Sequence, residues 1–87
     1  MKPKIGTTVY CIYEDSIAKY KVGYIGKNSF IIDELHEDLI FNVLEWQFED
    51  YDKQWFTSLA KAKAEIRKRY PNTKLLKRND DYWAVEE

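Results

Sequence analysis

From Thr7 to Leu44, apolar and polar residues alternate with a period near two, and turn formers cut the pattern about every ten positions, as in half-buried antiparallel strands. Thr7 to Tyr13 is the first predicted strand, with Val9, Cys11 and Tyr13 on one face and Thr8, Tyr10 and Ile12 on the other. Glu14-Asp15-Ser16 predicts a turn. Ile17 to Ile25 then predicts a longer strand in which Tyr20, Val22 and Tyr24 share a face while Lys19, Lys21 and Gly23 point away. Gly26-Lys27-Asn28 tolerates positive φ and predicts a hairpin into a third strand, Ser29 to Leu35. A fourth, Leu39 to Leu44, follows the His36-Glu37-Asp38 turn.

The period changes in the second half of the chain. Trp46, Phe48 and Tyr51 alternate along an acidic loop that they would anchor to the sheet, and Gln54-Trp55-Phe56 reads as a short fifth strand or an extended lead-in. Leu59 to Tyr70 holds no Gly or Pro and one β-branched residue, Ile66; Thr57 or Ser58 offers an N-cap oxygen, and Pro71 stops the helix. Leu59, Ala62, Ile66 and Tyr70 fall at helical spacing and predict the buried stripe of a helix over about 58–70. Lys74 to Lys77, the turn formers Arg78 to Asp81, and Tyr82 to Val85 predict a C-terminal hairpin. The expected architecture is α+β: a small antiparallel sheet or SH3-like barrel of four or five strands with one amphipathic helix. Three segments of one domain are expected, a β meander over 6–56, the helix over 57–70, and an extension or hairpin over 71–87.

Two stretches carry a resemblance: the opening Gly6-Thr7-Thr8-Val9-Tyr10 with the long second strand ending in Val22 and Ile25, and Tyr51-Asp52-Lys53-Gln54-Trp55-Phe56-Thr57-Ser58-Leu59. Through them the chain resembles small proteins of phages and mobile elements in Gram-positive bacteria. In those proteins a Gly-x-x-Val-Tyr opening leads a β meander, and a Gly-Lys-x-x-Phe-x-Thr-like segment enters a helix that begins with acids before an Ala. The resemblance implies that architecture and a genomic setting rather than an activity. The chain departs from the pattern at Asp52, where the Gly is expected, and at Ala60 and Lys61, where the acids are expected.

At 87 residues, with 45% apolar and 16% aromatic content, the chain is sized for one core and too apolar for disorder. No signal-peptide apolar stretch follows the N-terminal bases, no run reaches a membrane span, and the lone Cys11 makes no intramolecular disulfide, so a reducing cytoplasm is the expected location. The net charge of −1 conceals strong segregation. Residues 33–52 carry eight acids and no Lys or Arg, whereas residues 53–78 carry nine bases against Glu65 alone.

Catalytic constellations lack members. Cys11 alternates with apolar residues on a strand face, as a core thiol does, and the single histidine, His36, sits in a charged turn without a second His or Cys at metal spacing. No calcium loop and no Gly-rich phosphate loop is present, so no enzyme, cofactor or metal is expected. The candidate binding residues fall in two sets. Lys61, Lys63, Arg67, Lys68 and Arg69 form two basic ridges beside the apolar stripe and are the candidates for nucleic acid, with Lys61 and Lys68 on one ridge and Lys63 and Arg67 on the other. Glu49, Asp50 and Asp52 form the acidic loop, a candidate surface for a protein partner or for mimicry of nucleic acid. Tyr10, Tyr13, Tyr20, Tyr24, Phe30 and Trp46 are either an aromatic platform or core. A non-catalytic interaction module is expected, with a protein partner favoured over nucleic acid because the pI of about 5.8 is not that of a nucleic-acid binder. The acidic stretch leads directly into the basic helix, and the simplest geometry folds one against the other.

Overall fold

Strand β1 (Thr8–Tyr13) and strand β2 (Ser16–Ile25) form the hairpin that the alternation predicts, in a computed structural model that describes residues 1–35 and 39–86. The pairing runs from Thr8 with Lys21 to Tyr13 with Ser16, leaving a two-residue turn whose tight geometry puts Glu14 at φ 54°. Strand β2 is the spine of the sheet. Its far edge is shared: Ser16 to Ala18 pair with β7 (Tyr82–Val85), and Val22 to Ile25 pair with β3 (Ser29–Ile32). A bulge between Val22 and Tyr24 separates the two pairings. Gly23 is required there, since a Cβ would lie 2.7 Å from the Cα of Asp33. The bulge also reverses the side-chain alternation. Tyr20 and Val22 point into the core, but Tyr24, expected on the same face, is 61% exposed.

The remaining strands complete a curled antiparallel sheet. Strand β4 (Glu45–Gln47) pairs with β3, β5 (Trp55–Phe56) pairs with β1, and β6 (Leu75–Asn79) pairs with β7. The order is β4-β3-β2-β1-β5, with the β6–β7 hairpin attached through β2. The five strands before the helix match the four or five expected, and the C-terminal hairpin adds β6 and β7 to the same sheet.

The predicted strand at residues 39–44 is absent, and the predicted third strand ends at Ile32. Tyr20 explains the first difference. Its hydroxyl, on a fully buried ring, accepts from the backbone N–H groups of Ile40 (3.1 Å) and Phe41 (3.0 Å), donors that a ladder would otherwise use. Pairing resumes only at the Leu44 carbonyl, which accepts from Ile32 N (3.0 Å). At the second difference, Asp33 turns the chain, and its carboxylate accepts from Leu35 N (3.3 Å). The predicted turn at His36-Glu37-Asp38 lies outside the described residues.

Helix α1 (Leu59–Arg69) starts where an N-cap was expected, with the Ser58 hydroxyl accepting from Lys61 N. Both faces of the sheet are covered, and strand alternation divides the apolar residues between them. Val9, Cys11, Ala18, Tyr20, Val22, Phe30, Ile32, Phe41, Trp46 and Trp55 form one cluster. Ile12, Ile17, Phe56, Trp83 and Val85 form the other, beneath Ala62 and Ile66 of α1, with Leu59 and Tyr70 packed at its rim. The helical stripe is therefore the one its spacing predicts. No helix among the described residues is long and apolar enough to cross a membrane.

Candidate interaction surfaces

The five helical bases do not form one surface. Arg69 is committed internally: its Nε donates to Glu65 Oε2 (2.8 Å), one terminal nitrogen to Gln54 Oε1 (3.2 Å) and the other to the Lys53 carbonyl (2.7 Å). These bonds tie the helix C-terminal turn to the segment leaving the acidic loop. Lys61 and Lys68 line a shallow cleft of about 290 Å³ with Phe56, Ala64 and two carboxylates, Asp52 and Glu65. Lys63 lies on the other ridge, its ammonium 5.9 Å above the Trp83 ring, a cation–π contact, with the exposed Arg67 one turn further on. The two ridges read from the spacing are present, but one of them already faces acids.

The acidic loop is dispersed in the same way. Glu49 and Asp50 sit in a 3-10 turn, Phe48–Asp50, whose Asp50 carbonyl accepts from Lys53 N (3.0 Å) and Gln54 N (2.8 Å). Asp52 adopts φ 62°, a left-handed conformation that Gly takes without cost and Asp tolerates. A Gly, as the resembling pattern carries there, would fit this backbone. Each carboxylate borders a different depression: Glu49 one with Asn28, Gln47 and Phe48, Asp52 the Lys61 cleft, and Asp50 a third cleft. Among the described residues none of the three forms an ion pair with the helix; the ion pairs found are Arg69 with Glu65 and Lys77 with Asp80. The segment leaving the loop is held to the helix by the Lys53 carbonyl and the Gln54 side chain rather than by the loop's carboxylates.

The third cleft assembles residues that the sequence reading did not connect. About 340 Å³ in volume, it is lined by Tyr13, Glu14, Val43, Glu45, Trp46, Asp50, Gln54 and Arg69, among others. The β1–β2 turn supplies Glu14, β4 supplies Glu45 and Trp46, and the 3-10 turn supplies Asp50. Glu45 Oε2 accepts from the Ser29 hydroxyl (2.5 Å), fixing that carboxylate on β4. Tyr13 is 45% exposed and packs against Phe41 with ring centroids 5.5 Å apart. Trp46 is buried, and its indole Nε1 has no acceptor among the described residues, unlike Trp55, whose Nε1 donates to the Gln47 carbonyl (2.7 Å). Three carboxylates and one committed guanidinium give the cleft an acidic balance beside an exposed phenol.

The aromatic residues are divided rather than arrayed: Tyr20, Phe30 and Trp46 are buried, Tyr10 is half-buried on the helix side, and Tyr13 and Tyr24 are exposed. Cys11 is fully buried on the face opposite α1. Among the described residues no three His, Cys, Asp or Glu side chains converge as a metal site, and His36 lies outside those residues. No protein-family model, curated protein or solved structure matches the chain.

Proposed function

We propose that this protein is a non-catalytic interaction module, an accessory protein of a phage or mobile element acting in the cytoplasm, and that it binds a basic segment of a partner protein. The observation that carries the reading is the cleft between the β1–β2 turn and β4, whose lining brings Glu14, Glu45 and Asp50 together with Tyr13, a residue 45% exposed. Opposite charge steers and orients such a partner, and a partly exposed Tyr gives an amphipathic anchor of the kind enriched at interfaces. The burial of Cys11 fits a non-catalytic role, since a nucleophile must reach its substrate. Mimicry of nucleic acid by the acidic loop is less well supported, because Glu49, Asp50 and Asp52 border three separate depressions.

An NMR titration with a short Arg- and Lys-containing peptide tests this reading. Shifts are expected at Tyr13, Glu14, Glu45 and Asp50, and the Glu14→Gln, Glu45→Gln, Asp50→Asn triple variant should weaken binding about tenfold or more while Glu49→Gln leaves it unchanged. Equal weakening by Glu49→Gln, or no shifts at the cleft, would overturn it.

A further inference from the structure

The sheet face beside α1 carries a second charged surface that no linear stretch of the sequence contains. Cross-strand register defines it. Ile12 pairs with Ile17, Ile17 with Trp83, and Trp83 with Lys77, so these four residues from four strands form one row on one face. Lys19, two residues beyond Ile17, projects from the same face and is paired with Tyr10, whose ring meets Trp83 edge-on at 6.3 Å. Lys63 covers Trp83 from the helix. Lysines from α1, β2 and β6 thereby share the face that holds this indole, with the Lys63 ammonium over its ring and Arg67 a helical turn from Lys63. Strand spacing and rise put the Cα atoms of Lys19 and Lys77 about 12 Å apart.

We infer that this face binds the phosphate backbone of nucleic acid, without sequence preference, through Lys19, Lys63, Arg67 and Lys77. The opposing charges are Asp80, which pairs with Lys77 at 3.5 Å, and the exposed Asp81, whose carbonyl accepts from Lys19 N (2.8 Å). The Lys77–Asp80 pair is solvent-exposed, and such pairs contribute little, so a polyanion displaces the aspartate readily. The apolar part of the face decides between partner classes. Trp83 is 6% exposed, Ile12 2% and Ile17 fully buried, and Tyr10 is half-buried, so the face offers no fully exposed aromatic or aliphatic anchor of the kind around which a protein interface is built. Phosphate contacts need no such anchor; they need cations at the surface, and here Arg67 and Lys77 are exposed while Lys19 and Lys63 are half-buried. None of the four basic residues lines the cleft proposed for a protein partner, so either assignment survives failure of the other.

Fluorescence anisotropy with a labelled 20-base-pair duplex across 50 to 200 mM salt tests the inference. Four phosphate contacts predict a log–log salt slope of about −3.6, so affinity should fall about 100-fold over that range. Lys19→Gln and Lys77→Gln should each lower the slope magnitude by about 0.9, while Lys61→Gln and Lys68→Gln, on the ridge that faces Asp52 and Glu65, leave it unchanged. All four positions are polar side chains at the surface, and thermal melts of each variant establish that the fold is intact. Absence of binding at 50 mM salt, slope loss on the Lys61 ridge instead, or binding to anionic lipid vesicles without binding to the duplex would each overturn it.

Discussion

The two faces of the sheet are covered by different physical means. On one side α1 lays Leu59, Ala62, Ile66 and Tyr70 across Ile12, Ile17, Phe56 and Val85, and the cover is an apolar stripe meeting an apolar strand face. On the other, residues 39–47 close over Tyr20, Phe30 and Trp55, and hydrogen bonds from side chains to the backbone hold that cover: Tyr20 Oη accepts from Ile40 and Phe41, and Trp55 Nε1 donates to Gln47. The first cover depends on periodicity, which can be read along the chain. The second depends on partners about 20 residues apart in sequence at Tyr20 and Phe41, which cannot.

The comparison can be broken from the helix side first. Ile66→Ala removes a fully buried side chain from the centre of the stripe and should cost about 2–5 kcal/mol, measured by urea unfolding followed through tryptophan fluorescence. A cost below about 1 kcal/mol would mean that the helix is loosely seated. On the other side Tyr20→Phe keeps the ring but orphans the N–H groups of Ile40 and Phe41, and the same measurement should give a loss of about 1–3 kcal/mol. A loss equal to that of Ile66→Ala would make the two covers equally integral. Between them, Asp52→Gly relieves a left-handed backbone at some cost in unfolded-chain entropy and should raise stability by about 0.5 kcal/mol, seen as a small increase in melting temperature. A decrease would show that the Asp52 carboxylate, across the cleft from Lys61 and Lys68, contributes more than its backbone costs.

Much of the fold was legible for the reason just given. The β1–β2 turn, the strand at Tyr82–Val85, the Ser58 cap and the helical stripe all follow from local pattern, and each is found. The α+β class with one helix follows from them. The strand expected at residues 39–44 failed because alternating Leu39, Phe41 and Val43 has the strand period, yet a distant phenol supplies the hydrogen bonds that would have made it a strand. Tyr24 was misplaced because Gly23, which permits the bulge, looks the same in sequence as a Gly that merely weakens a strand. The candidate surfaces were legible only as inventories. Spacing on one helix paired Lys61 with Lys68 and Lys63 with Arg67, but Arg69 was counted as available because its acceptors, Gln54 and the Lys53 carbonyl, are not helical neighbours. Glu14 and Glu45 were missed because they approach Asp50 only through the curl of the sheet.

The divided edge of β2 bears on how the molecule assembles. The β1–β2 hairpin closes through a two-residue turn and the β2–β3 pairing through a short loop, so both are entropically cheap to nucleate. The pairing of Ser16 with Ala84 on the same strand instead closes a far longer loop, at a higher entropic cost. One strand therefore carries both a short and a long loop closure. Lys19, Lys63 and Lys77 come to share one face only through the long closure, so the composite surface depends on the pairing that is furthest apart along the chain.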